Sequence, residues 1–235
     1  MRNKKFIWFT SVVVVLYFAT ISVFYQLPFK TGTTVFQDVD QSHWAAYDIE
    51  YMYDQGLMKG RDETVFNFYP EAVMTRAELV ALMLRVDGAD LAKLDQTATV
   101  KYTDIPSGHW SIPVLAEAEK RNLIPFKDVA QGKFQPDKPV TRGELSQGVV
   151  QSLHLQYSTL IDGIQPVNDI GGNLYEPAIS TMLTNKYAKG YEDNTFRPNE
   201  NASRATVASL FAKALRENRP ETKTDANAKK KGGNQ

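Results

Sequence analysis

"VMTRAELVALMLR", residues 73–85, announces a helix and then breaks a rule of helix starts. Leu79, Leu82, Met83 and Val86 recur at i, i+3, i+4 and i+7, which places them on one face of an α-helix. Thr75 stands at the N-cap, and Glu78 three residues on completes a capping box. Arg76 lies in the first turn, where unpaired N–H groups and aligned peptide dipoles favour acidic residues over cations. One such arginine on a solvated turn costs only about a few tenths of a kcal/mol. Its recurrence makes it informative.

The start returns as "VTRGELSQGVVQSL", with Thr141, Arg142 and Glu144, and as "ASRATVASLFAKAL", with Ser203 and Arg204. Pro70, Pro136 and Pro198 stand six residues before the three arginines, and Phe68, Phe134 and Phe196 two residues before the prolines. Further upstream, Asp38, Asp104 and Asp169 correspond, as do Trp44, Trp110 and Tyr175. The period is about sixty-five residues, the signature of a repeat architecture. Each unit reads helix, loop, helix. Trp44, Ile49, Met52, Tyr53 and Leu57 give the first helix of unit one its apolar face, and Gly56 stops it. Pro113 and Pro177 fall in first turns, where a missing N–H costs nothing. A lone helix pair cannot bury its apolar face, so the three units are expected to close around a shared core, in an ordered body of about 185 residues. The stretches "DGADLAKLDQTATV" and "QYSTLIDGIQPV" join them.

The two ends are different material. Residues 6–27 are uncharged and rich in Val, Phe, Ile and Tyr, after Arg2, Lys4 and Lys5. As a helix this run spans roughly 33 Å, enough for a bilayer core, and the basic flank orients the N-terminus inward. It reads as an uncleaved signal anchor. A cleaved signal peptide is the alternative, weakened because only Thr20 and Ser22 offer a small-residue pair before large aromatics. Both place the body outside the cytoplasm. The tail, "RPETKTDANAKKKGGNQ", is too polar to bury a core and reads as disordered. With no cysteine, the body has neither disulfides nor thiolate metal sites. Lys plus Arg equals Asp plus Glu, 27 each, so the overall basic field expected of a nucleic-acid binder is missing.

The series F-x-D-V, HWA, F-x-P and TRAE, from Phe36 to about Leu215, resembles the surface-layer homology (SLH) domain in its triple form. The resemblance implies a mainly α fold: a pseudo-threefold bundle of three helix-loop-helix repeats, here preceded by one N-terminal transmembrane helix. The expected segments are 1–29 (anchor or signal), 30–86 (first repeat), 87–155 (linker and second repeat), 156–216 (linker and third repeat) and 217–235 (tail). It further implies noncovalent binding of a secondary cell-wall polysaccharide or peptidoglycan-linked polymer carrying pyruvylated sugars. The repeat arginine contacts the acidic ketal, which carries over to Arg76, Arg142 and Arg204. Gly60 and Gly190, with Lys59 and Lys189 before them, are the secondary expectation, together with Trp44 and Trp110. A guanidinium beside unpaired helix amides suits a carboxylate. The competing reading pairs each arginine with an acidic residue of the preceding unit, for instance the recurring aspartates Asp38, Asp104 and Asp169.

Two departures point to fewer than three equivalent sites. Thr206 replaces the third glutamate, and unit two reads "NLIPF" where its siblings have a glycine. On this basis Arg76 ranks ahead of Arg142 and Arg204. Trp44 and Trp110 read as core anchors, with stacking on sugars as the alternative. His43 and His109 suit capping better than metal binding, and His154 stands alone. No catalytic motif, cofactor loop or metal constellation is legible, so a non-enzymatic role is expected. The alternative function is a membrane-anchored extracytoplasmic scaffold for protein partners, since no cargo domain accompanies the repeats.

Overall fold

Each repeat forms its two helices where the sequence places them, but the principal helix packing is between repeats. The computed structural model describes residues 34–61, 66–129, 132–159 and 167–218. The expected membrane segment at 6–27 and most of the tail lie outside them. No helix among the described residues is long and apolar enough to cross a membrane. Among the described residues six α-helices follow in order: α1 Ala46–Asp54, α2 Arg76–Val86, α3 Ser111–Lys120, α4 Arg142–Ser152, α5 Glu176–Thr184 and α6 Arg204–Asn218, with a 3-10 turn at Leu91–Lys93.

The first helix of each repeat packs on the second helix of the repeat before it: α3 on α2, α5 on α4, and α1 back on α6. The second helices form the middle of the bundle, with α4 touching both α2 and α6. This explains a departure from the one-faced reading. Every residue of α2 from Leu79 to Leu84 is buried, and every residue of α4 from Arg142 to Val150. An inner helix has neighbours on several sides, so small residues serve it as well as large ones. At Gly148 an added Cβ would stand 3.2 Å from Met83 Sδ and 3.3 Å from a Leu79 methyl. The Ser146 and Ser152 hydroxyls are satisfied within α4 by Arg142 O and Gly148 O.

The segments just before the second helices meet in a cyclic hydrogen-bond triangle. Met74 N–H donates to Ala202 O at 3.1 Å, Ala202 N–H to Val140 O at 2.8 Å, and Val140 N–H to Met74 O at 2.9 Å. Isolated antiparallel bridges flank it at Val73/Ser203, Thr75/Pro139 and Thr141/Asn201. All three apolar side chains of the triangle are buried. At the chain's ring closure, buried Asp48 on α1 accepts from Ser209 Oγ at 2.6 Å and from Arg216 Nη2 at 2.5 Å, both on α6.

The recurring aspartates bind backbone rather than arginine. Asp38 accepts from Phe68 N and Tyr69 N, Asp104 from Phe134 N and Gln135 N, and Asp169 from Phe196 N and Arg197 N, all at 2.6–2.9 Å. The residue between each phenylalanine and its proline, Tyr69, Gln135 or Arg197, has a positive φ of 57–58°. That left-handed conformation is costly for a non-glycine residue, and two charge-assisted bonds to one carboxylate hold it. The neighbouring phenylalanines Phe68, Phe134 and Phe196 are fully buried.

Trp44 and Trp110 are not core anchors: they are 63% and 52% exposed. The inward positions at these helix starts are taken by Ala45 and Ser111, each 0% exposed, and the indoles lie outside beside His43 and His109. The aligned Tyr175 is buried, its hydroxyl accepting from Lys127 N.

Asp104→Ala should cost about 2–3 kcal/mol in urea unfolding, because two backbone donors lose a charged acceptor. Burial pushes the Asp104 carboxyl up, but the bonds from Phe134 and Gln135 and the charge of Lys133 outweigh it and leave it below its ordinary 3.8. A depressed carboxyl contributes stability above its unfolded value and loses it as pH falls through the folded one. The difference between wild type and Asp104→Ala should therefore be full above about pH 4 and shrink below it.

Candidate functional site

The three arginines occupy three equivalent clefts, each facing the loop of the next repeat in the ring. Their helix starts are not open to an anion. Arg76 N–H donates to Lys138 O, Arg142 N–H to Glu200 O and Arg204 N–H to Ala72 O, at 2.8–3.0 Å. The following amides, of Ala77, Gly143 and Ala205, donate to Pro136, Pro198 and Pro70. Thr75 and Thr141 complete capping boxes with Glu78 and Glu144, while Ser203 caps the third start by accepting from Thr206 N. The expected pairing of guanidinium with unpaired first-turn amides is thus replaced. The amides join one repeat to the next, and only the side chains remain as anion receptors.

All three side chains are buried. Arg142 Nε donates to Phe196 O at 2.8 Å, and its guanidinium stands 4.6 Å and 5.0 Å from the rings of Phe196 and Tyr191. Arg204 repeats this against the first repeat: Nε to Phe68 O at 2.8 Å, Nη2 to Lys59 O at 2.7 Å, and 4.5 Å from the Phe68 ring. Lys59 and Lys189 contribute their carbonyls, that of Lys189 at the 3.5 Å limit from Arg142 Nη2, while their own side chains are exposed. Among the described residues no carboxylate is within ion-pair distance of Arg142 or Arg204. Burial pushes Arg142 down, and burial together with the charge of Arg61 pushes Arg204 down to about 10. A guanidinium stays charged at physiological pH, so this direction expresses a buried cation short of an anion.

Arg76 is different. Its Nη2 pairs with Asp128 at 2.7 Å and with Glu144 at 2.5 Å, and its Nη1 donates to Phe134 O at 3.1 Å. Both acids come from the following repeat, not the preceding one. The three arginines therefore stand in unequal surroundings, because the loop each one faces belongs to its neighbour. Arg76 faces the loop of repeat two, in which Phe126 replaces the glycine. The glycine-bearing loops face Arg204 (Gly60) and Arg142 (Gly190). The same shift relocates Thr206, which removes the glutamate from the Arg142 cleft rather than from that of Arg204.

Gly60 meets backbone, not an open surface: an added Cβ would lie 2.8 Å from Asn67 O. Gly190 lines an open depression of about 510 Å³ with Tyr191, Glu192, Asp193 and Arg197, beside the Arg142 cleft. Arg197 stacks on Tyr191 at 3.9 Å. In the Arg204 cleft the residue aligned with Tyr191 is Arg61, ion-paired to Glu78 at 2.9 Å. Arg61, Tyr191 and Asp128 were not singled out from the sequence, and Glu144 only as a helix cap. Aligning each arginine with the next repeat's loop instead of its own would have found them. His43 and His109 accept from the N–H groups of Ala45 and Ser111, a local capping role. His154 pairs with Asp87 on the surface at 2.8 Å. No group of three or more His, Asp or Glu among the described residues is placed to hold a metal ion.

The family model described as "S-layer homology domain" matches residues 35–80, 101–146 and 168–208. A cellulosome-anchoring protein of Acetivibrio thermocellus is 30% identical over 192 residues, 79% of this chain and 40% of that protein. An amylopullulanase of Thermoanaerobacterium thermosulfurigenes is 26% identical over 75% of this chain and 9% of its own length. The S-layer protein sap of Bacillus anthracis is 28% identical over 54% of this chain and 15% of its own. The chain thus spans less than half the length of each of these relatives.

Gly60→Ala should destabilise the fold by about 1–3 kcal/mol, since the methyl meets a carbonyl that cannot turn aside. Chemical denaturation measures the loss. A change below about 0.5 kcal/mol would contradict the close approach described.

Proposed function

The chain belongs to the S-layer homology domain family, and on that premise we propose that it holds to the cell wall by noncovalent binding of an anionic, pyruvylated secondary polysaccharide. The buried guanidiniums of Arg142 and Arg204, which no described carboxylate neutralises, carry the reading. Each is held rigid by carbonyls and an aromatic face, so its remaining N–H groups are preorganised for a planar carboxylate. The names of an anchoring protein and an S-layer protein among the relatives support attachment at the cell surface.

In this reading Arg142 is the first receptor. Thr206 leaves its cleft without the glutamate present in the other two, and the depression beside Gly190 gives a sugar room to enter. Arg204, with Arg61 and the Lys59 carbonyl around it, is the second. Exposed Trp44 and Trp110 present ring faces suited to stacking on sugars. Residues 6–27, with their basic flank, supply the membrane side of a bridge between membrane and wall. The role is adhesive, not catalytic.

Wall sacculi, native and stripped of secondary polymer, should retain and release the protein respectively. Equal retention would sink the proposal, and retention by a protein partner alone would favour the scaffold. Arg142→Ala with Arg204→Ala should weaken binding at least about tenfold while leaving the far-UV circular dichroism unchanged, as expected for losing charge-assisted hydrogen bonds.

A further inference from the structure

The Arg76 cleft differs from its two siblings in four ways that share one cause. First, its guanidinium is 1% exposed and carries two carboxylates, Asp128 and Glu144, on one nitrogen. Second, its fork is turned. Arg142 and Arg204 donate from Nε to the phenylalanine carbonyl of the facing loop, whereas Arg76 donates from Nη1 to Phe134 O and leaves its buried Nε without a partner. Third, its cation lies over Phe126 at 4.4 Å, the residue standing where the other loops have glycine. Fourth, Lys138 reaches the same Asp128 oxygen at 3.2 Å, so Asp128 is clamped by two cations. The aligned acid of repeat three, Glu192, is exposed and makes no ion pair among the described residues.

A guanidinium that keeps its carbonyl only through Nη1, orphaning a buried Nε–H, is drawn by something stronger than that second bond. We propose that the Arg76 cleft is a self-occupied anion site: the carboxylates of Asp128 and Glu144 fill the place that an external carboxylate takes at Arg142 and Arg204. The pair staples repeat one to repeat two, and the chain offers two ligand sites instead of three. The count of two rests on the function proposed above; the self-occupancy does not.

The full chain is titrated calorimetrically with a synthetic pyruvate-ketal glycoside, as wild type and as Asp128→Ala/Glu144→Gln. The glutamine keeps a side-chain acceptor for the Thr141 amide. Two equivalents bound by wild type and three by the double variant are expected. Three equivalents in wild type, or no gain in the variant, would overturn the proposal. Should wild type bind no glycoside at all, the function proposed above fails, and guanidinium-detected NMR still decides the self-occupancy. Slowly rotating Arg76 Nη groups in wild type that become averaged in Asp128→Ala support it, and averaged Arg76 signals in wild type overturn it.

Discussion

Three backbone hydrogen bonds, running from Met74 to Ala202 to Val140 and back to Met74, set the arrangement of everything else. Each repeat gives one donor and one acceptor, so no two repeats can satisfy the set without the third. The segments are buried, and an unpaired buried amide is expensive, which ties the three repeats into one cooperative ring. Once the triangle is closed, the second helices leave it side by side at the centre. The first helices then have one place to go, the outer groove beside the preceding repeat's inner helix.

The same constraint explains why the anomalous arginines are tolerated. The first-turn amides that should repel a cation are already spent on carbonyls of the next repeat, and the glutamate or hydroxyl of the cap takes another. A guanidinium then finds two carbonyls and an aromatic face within reach, since the aspartate clamp has fixed the facing loop in its left-handed turn. Loop and arginine are parts of different repeats, yet each is positioned by the triangle between them. The geometry of each cleft is consequently set by contacts between repeats.

Rigid equivalence makes small substitutions decisive. Phe126 in place of glycine, with Asp128 and Glu144 at hand, turns one cleft into an internal ion pair that joins two repeats. Thr206 in place of glutamate leaves the Arg142 cleft without the carboxylate that the other two clefts hold. Glu78 in the third cleft is engaged by Arg61, so Arg204 keeps an unbalanced charge. One scaffold thus carries three electrostatic states.

The sequence by itself determined the threefold repeat, the helix starts and their caps, and the arginine, aspartate, phenylalanine and proline positions, because each follows from spacing and local hydrogen bonding. It also determined that the helices carry core residues such as Leu79, Leu82 and Ile49, since periodicity survives any packing. The tertiary structure alone decided which residues face one another. Arg204 meets Lys59, 145 residues away, and Arg76 meets Glu144, 68 residues away, because the ring sets each arginine against the loop of the next repeat, not its own. That one-repeat offset sets the surroundings of each arginine. It is invisible in local spacing because it arises from backbone pairing between segments distant in the chain.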